Sequence, residues 1–347
     1  MRRVVTKQKI LGVAAITLGL WVITASRGLM GGRSDRGGWD LVRRWLGGEL
    51  TAAEASIVEQ ARLPRVVFAG LVGAALAVGG AVFQAVLRNP LADPYILGIS
   101  GGAALGGTLM LVLGTAGLGM ALGTPVGAFV GAMGALAVIF GVARWTPPGR
   151  ASTYVLLLTG VIVNAFAASL IMFIQSVVTA RQAQEILFYL MGALAVEGIG
   201  GQTMASVAVV MVVCIAVIYR HAVDLNALSL GEEDAAYLGI EVGRVRLVTV
   251  VVASLAVAVA VAFSGIIGFV GLVVPHAIRL VVGPDHRVLI PACAFGGAAF
   301  LSCADVVARG SFGVLGTVLP VGVITSLIGA PVFIYFLWRS LQRDAGW

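Results

Sequence analysis

The sequence predicts an all-α polytopic membrane protein of about ten transmembrane helices with both termini cytoplasmic, and three observations predict it. The chain of 347 residues is 59% hydrophobic and 11% charged, with a mean hydropathy of +1.03, whereas a soluble domain carries roughly 25% charged residues. Apolar runs of about 20 residues, the length that crosses a hydrocarbon core of about 30 Å, recur from one end to the other. The 47 glycines lie among Val, Leu and Ala with no three-residue period, which excludes collagen and suits close backbone approach between membrane helices. An ordinary soluble enzyme and a disordered chain are thereby excluded. The net charge of +7 reads as membrane topology and not as a nucleic-acid footprint.

Taken in order, Arg2, Arg3, Lys7 and Lys9 precede an apolar run over 10–25. A signal peptide has the same pattern, with Thr24, Ala25 and Ser26 as a cleavage site. Because the remainder is itself membrane-like, an uncleaved first crossing with a basic cytoplasmic flank is the expectation. Further crossings are expected at 66–87, 95–114, 120–143, 152–178, 203–219, 247–265, 268–282, 288–304 and 314–338. As one helix 247–282 would measure about 54 Å, too long for one crossing, so Gly265, Gly268 and Gly271 mark its turning point.

The even number of crossings puts both ends on one side. With the N-terminus inside, 14 of the 23 basic residues fall on inner loops and ends and nine outside, seven of them in or just past one long outer loop, 28–64. The inner excess supports this orientation. In the outer loop, Thr51 and Glu54 have capping-box spacing, which predicts a short surface helix over 52–62. Trp39, Leu41, Trp45 and Leu46 are an apolar set suited to the membrane interface, although a plain connector accounts for the same residues. Cys214, Cys293 and Cys303 sit in apolar runs and read as buried thiols. Cys293 and Cys303, about 15 Å apart along one helix, are beyond disulfide reach.

The chemistry that is missing narrows the function. No GxxxxGK[ST], HExxH or CxxC motif occurs, and His221, His276 and His286 are too scattered for a metal site, so no catalytic constellation, cofactor or resident metal is expected. No expected crossing carries an Asp, Glu, Lys or Arg near its middle, which disfavours a proton-coupled carrier. A sodium-coupled one that uses backbone carbonyls stays open.

Four polar islands interrupt the apolar background. Arg62-Leu63-Pro64-Arg65 opens the second crossing and presents two guanidinium groups outside, suited to carboxylates or to interfacial anchoring. Arg88-Asn89-Pro90-Leu91-Ala92-Asp93-Pro94 forbids a continuous helix and, before Gly98, Ser100, Gly101 and Gly102, permits a broken re-entry or a rigid turn. The inner loop 222–246 reads as two short helices, the first capped by Asp224 and ended by Gly231, the second started by Glu232, Glu233 and Asp234 and ended by Gly239, or else as a solvated loop. The fourth island joins Gly268-Phe269-Val270-Gly271-Leu272, Pro275-His276-Ala277-Ile278-Arg279, and Asp305 with Arg309 one turn later, on the same side as Arg62 and Arg65.

These strings, RLPR, QAVLRNPLADPYILGISGGA, LNALSLGEEDAAYLG, GFVGLVVPHAIRLVVGPDHR, ADVVAR and LPVGVITSLIGAPVFIYFL, resemble the permease subunits of bacterial ABC importers for iron-siderophores, haem and cobalamin, the FecCD type. The resemblance runs in family order from about Arg62 to Leu337. It implies a single permease domain over 1–347 in the bacterial inner (plasma) membrane, a homodimer or a pair of related permeases, with a central pathway between the subunits. It also implies two cytoplasmic ATP-binding subunits, which hydrolyse the ATP that this chain has no motif to bind, and a periplasmic or lipid-anchored substrate-binding protein. By that resemblance Arg62, Arg65 and Arg309 receive carboxylates of the binding protein. Leu225, Leu228, Leu230, Gly231, Glu232, Ala235, Leu238 and Gly239, in the 222–246 loop, seat in the ATPase. Asn89, Pro90, Asp93, Pro94, Pro275, His276 and Arg279 are motif residues of structural character.

Gln84, Asn164, Ser169 and Gln175 are candidates for the pathway, or for hydrogen bonds between neighbouring helices. The expected cargo is a bulky metal chelate, with ferric siderophore ahead of haem or cobalamin because it is common in the family. A stand-alone ion-coupled carrier or channel without ATPase subunits is the competing reading, and a membrane enzyme comes third.

Overall fold

The computed structural model describes residues 6–30, 38–95, 97–115, 123–145, 151–194 and 200–344, and every regular element among them is helical. Among the described residues seven helical segments are long and apolar enough to cross a membrane, and three shorter apolar helices accompany them. Together they fall where the ten crossings are expected.

The first is α1 (Lys7–Met30), followed in the long loop by α2 (Gly38–Leu46) and α3 (Ala52–Ser56). The capping box is present: Thr51 Oγ1 accepts the Glu54 N–H at 3.4 Å and Glu54 Oε2 accepts the Thr51 N–H at 3.0 Å. The expected separate helix over 52–62 is not observed, because α3 continues through a π turn, Ile57–Arg62, into α4 (Leu63–Val86). Pro64 explains the turn. Its ring crowds the carbonyl four residues back, and a local widening, in which the Leu63 N–H reaches Val58 O, carries the helix past it. The stretch around α2 is helical, not a plain connector. Trp45 Nε1 donates to Glu59 Oε1 at 3.3 Å and Arg44 pairs with Glu54 at 2.9 Å, which folds α2 back on α3. The side chains of Trp39, Leu41 and Leu46 lie outside the described residues.

Helix α4 is the axis of the chain, buried almost throughout from Val66 to Val86. It packs against α12 (Val242–Ser264), α13 (Val270–Val282) and α14 (His286–Gly310). Glycine permits this closeness. A Cβ on Gly73 would overlap the Gly297 carbonyl of α14, and one on Gly80 the Gly271 carbonyl of α13. A second close pair, α5 (Ile99–Thr115) on α6 (Gly123–Arg144), sets Gly102 and Gly106 against Gly131 and Gly127, a four-residue spacing on both helices.

Next come α7 (Ala151–Val177), α8 (Ala180–Leu190) and α9 (Gly201–Arg220). The sequence reading missed α8, although Thr179 and Gln182 form a second capping box. Two short helices follow, α10 (Ala222–Leu230) and α11 (Glu232–Tyr237), as expected for the 222–246 loop. Asp224 does not cap α10, which begins two residues earlier. It lies in the first turn, 2.8 Å from His221 Nδ1, where its charge suits the helix dipole. Gly231 and Gly239 end the two helices with positive φ.

The turn between α12 and α13 lies at Gly265 to Phe269, and both of these residues have positive φ. The 13 residues of α13 span only about 20 Å, so irregular backbone has to make up the rest of the crossing, and it is internally bonded as that setting requires. The Ser264 carbonyl accepts the Ala193 N–H at 2.8 Å and the Ile267 carbonyl accepts the Tyr95 hydroxyl. The chain closes with α15 (Phe312–Leu315) and α16 (Val321–Asp344). Cys214 and Cys293 are buried as expected, but Cys303 is exposed on α14, because its face of the helix turns away from α4.

Candidate functional site

Two polar assemblies occupy opposite ends of the bundle. At one end the last turn of α1 meets the start of α4 and the end of α14. Asp305, 1% exposed, is its centre: Arg65 Nε and Nη2 donate to Oδ1 at 3.0 and 2.9 Å, and Arg309 Nε lies 3.0 Å from Oδ2. The Leu29 carbonyl accepts from Arg62 at 2.7 Å and the Gly28 carbonyl from Arg309 at 3.0 Å. These are terminal carbonyls of α1, the negative end of its dipole, where cations are favoured. The three arginines expected to act together are thus brought together. Asp305, expected as a one-turn partner of Arg309, bridges it to Arg65 on another helix. Three guanidinium groups against one carboxylate leave the cluster basic.

At the other end α10 and α11 lie across the end of α4 and the starts of α12 and α14. Leu225, Leu228 and Ala235 are buried and fix the pair to the body, whereas Leu230 and Leu238 are 62% and 65% exposed. Exposed Val223 and Tyr237, the latter 90% exposed, add to that apolar surface. The sequence reading missed both, although apolar side chains in so acidic a loop were the available signal. Glu232 pairs with Arg246 at 2.7 Å, which ties α11 to α12.

Asn226 bonds the turn before α14: Oδ1 accepts the His286 N–H at 2.8 Å, and Nδ2 donates to Asp285 Oδ1 at 3.0 Å. Asp285 also accepts the Arg287 N–H at 2.9 Å and pairs with the Arg287 guanidinium at 2.7 Å. Chiefly through the Arg287 hydrogen bond, its carboxyl is held down at about 2.

Between the two ends, the motif residues build the irregular backbone. Asn89 Oδ1 accepts the Leu91 N–H and Asp93 Oδ1 the Tyr95 N–H, both at 2.9 Å, so each side chain closes a turn beside a proline. Pro90 lies within the first turn and Pro94 within the second, where it packs at the Gly79 and Gly271 positions. Pro275 has no N–H to offer the Gly271 carbonyl, and Gln84 Nε2 donates to that carbonyl at 3.3 Å instead. Gln84, expected as a pathway candidate, is buried inside the chain in this role.

Asn164 Nδ2 donates to the Tyr95 carbonyl at 2.5 Å, and Ser169 bonds the Ala165 carbonyl of its own helix at 2.9 Å. Gln175 is half-buried near the end of α7. His276 stacks 5.1 Å from Phe336, and Arg279 stands one turn beyond it on α13. None of the four pathway candidates lines the cavity of about 580 Å³ where Tyr95, Met191, Ile266, Gly268, Gly322 and Ser326 meet.

The FecCD transport family profile matches residues 18–339. The cobalamin import system permease protein of Halobacterium salinarum is 44% identical over 281 residues, which are 81% of this chain and 73% of that protein. The hemin transport system permease protein of Yersinia pestis is 39% identical over 287 residues, 82% of this chain and 84% of that protein. Among solved structures, a metal-chelate type ABC transporter in an inward-facing conformation matches with a TM-score of 0.81 at 30% identity, covering 95% of this chain and 99% of that one. The chain belongs to the FecCD transport family, as a multi-pass permease of the plasma membrane.

Proposed function

We propose that this chain is the channel-forming subunit of an ATP-driven importer for a bulky metal chelate. It works as a homodimer or beside a related permease, with two cytoplasmic ATPase subunits below and a substrate-binding protein above. The observation that supports this reading is the pairing, on one helical body with no phosphate loop, of a basic cluster at one end and a helix pair with an exposed apolar face at the other. Arg62, Arg65 and Arg309 receive carboxylates of the binding protein. Leu230 and Leu238, with Val223 and Tyr237, rest in the ATPase groove, while Leu225, Leu228, Gly231, Glu232, Ala235 and Gly239 shape and hold the pair behind them.

The cavity at Tyr95 and Ile266 belongs to the pathway in this reading, since an apolar wall with few polar groups suits a large planar or caged chelate. The cargo class covers the cobalamin and hemin in the relatives' names and the ferric siderophore that the sequence reading favours. Uptake of labelled cobalamin, haem and ferric chelates by a deletion strain identifies the member.

Purification from native membranes tests the whole reading. A co-purifying ATPase stimulated by the binding protein is expected, and a solitary chain with gradient-driven uptake would overturn it in favour of an ion-coupled carrier. For docking, Arg62→Glu is the cleanest variant, because its partner is a carbonyl and not Asp305. Affinity for the binding protein should fall about tenfold or more at 0.1 M salt, with a smaller difference at 1 M, where the Debye length shrinks to about 3 Å. Unchanged affinity removes the cluster from docking.

A further inference from the structure

Among the described residues, helix α14 has a polar attachment in both end assemblies. Its 25 residues place His286 and Arg309 about 35 Å apart. At the basic end it carries Asp305 and Arg309, and Asp305 grips Arg65 of α4. At the other end its N-cap is Asp285, and the partner that completes this cap comes from α10, some 60 residues earlier in the chain.

The single side chain of Asn226 makes that link with both ends of its amide. Oδ1 accepts the His286 N–H and lies 2.8 Å from His286 Nδ1, which therefore carries the ring proton, and Nδ2 donates to Asp285. His286 is 2% exposed while Asn226 and Asp285 are half-buried, so a partner lost on the His286 side is only partly replaced by water. Along its length α14 is packed on α4 through the Gly73 and Gly297 backbones, which leaves little room for one helix to slide on the other.

We infer that Asn226 is a positioning residue that locks the α10–α11 pair to the inner end of α14, making α14 a rod between the ATPase seat and the basic docking cluster. A tilt imposed on the helix pair is then delivered to Asp305 and Arg309 as movement of one rigid helix. Without the Asn226 bonds, α10 keeps its buried apolar contacts through Leu225 and Leu228 but no longer carries α14 with it. This inference rests on the coupling role proposed above for the 222–246 loop.

The test uses the full transporter, with its ATPase subunits, in lipid nanodiscs, and reads ATP hydrolysis with and without loaded binding protein. Asn226→Ala removes the bonds, and Asn226→Asp sets two carboxylates against each other. The double variant Asn226→Asp with Asp285→Asn exchanges amide and carboxylate, restoring a donor–acceptor pair and keeping a residue suited to cap α14. Both single variants are expected to keep basal hydrolysis and ATPase content within about twofold and to lose fivefold or more of the stimulation, with the double variant recovering it. Full stimulation in Asn226→Asp overturns the inference. So does a loss of stimulation that follows thermal stability and is not recovered by the exchange, which would make the residue merely structural. If the unmodified chain captures no ATPase or shows no stimulation, the coupling role itself fails and this inference falls with it.

Discussion

Asp305 shows how strongly one residue can depend on its partners. Its carboxylate is almost fully enclosed by Arg65 and Arg309, and such a group is tolerated in a dry site only while its charge is matched. Asp305→Ala leaves two guanidinium groups facing each other at the end of α1. A loss of about 3–5 kcal/mol is expected, the usual cost of breaking one side of a buried ion pair, and thermal unfolding in detergent measures it.

Asp285 makes a milder case with a pH signature. Its folded carboxyl sits at about 2 against 3.8 for the free group. A depressed carboxyl contributes stability above the unfolded value that disappears as pH falls through the folded one. The stability gap between the wild type and Asp285→Ala should therefore be about 1 kcal/mol at pH 7, since solvent screens the half-exposed pair with Arg287, and shrink from about pH 4 downward. A gap undiminished near pH 2 would contradict this account. Gln84 illustrates a different dependence, since its amide replaces a bond that Pro275 deletes on the facing helix.

At the level of elements, the glycines separate into those that set helix spacing and those that do not. Gly80 and Gly73 lie where a methyl group would enter a neighbouring backbone, whereas Gly134 and Gly141 have nothing within 4 Å of the added carbon. Gly80→Ala should destabilise the bundle by about 1–3 kcal/mol or more through overpacking. Gly134→Ala should be neutral or stabilising by up to about 1 kcal/mol, as alanine lowers the entropy cost of a helix. Equal midpoints for the two variants would mean that α4 and α13 are not held at backbone contact. The same distinction explains why the sequence exposed the glycine excess as helix packing without naming the pairs. Gly102 with Gly106 and Gly127 with Gly131 have readable spacing, but Gly80 and Gly271 meet only after the 265–269 turn has formed.

For the whole molecule, the division of labour proposed for its two ends has a direct consequence. Tyr237 and Leu238 lie on the exposed side of the helix pair and contribute nothing to the buried core. Tyr237→Asp combined with Leu238→Asp should leave the unfolding midpoint within a few degrees while reducing co-purified ATPase about tenfold or more, because a charge in an apolar groove is left without a partner. ATPase retained at the wild-type ratio would move the seat elsewhere.

The sequence by itself determined the membrane class, the ten apolar helices, the helix pair in the 222–246 loop and the family. These depend on local quantities: apolar length against bilayer thickness, capping residues, and motifs read along the chain. It did not show that α3 runs on into α4, that Asp224 lies inside α10, or that α8 exists at all, since these hinge on how one helix end meets its neighbours. The tertiary structure decided that Asp305 lies between Arg65 and Arg309, that Gln84 serves a carbonyl of the facing helix, and that Asn226 holds the cap of α14. Arg65 and Asp305 are separated by 240 residues and Gln84 and Gly271 by 187. Contacts at such separations are fixed by how helices pack, and no spacing within the sequence encodes them.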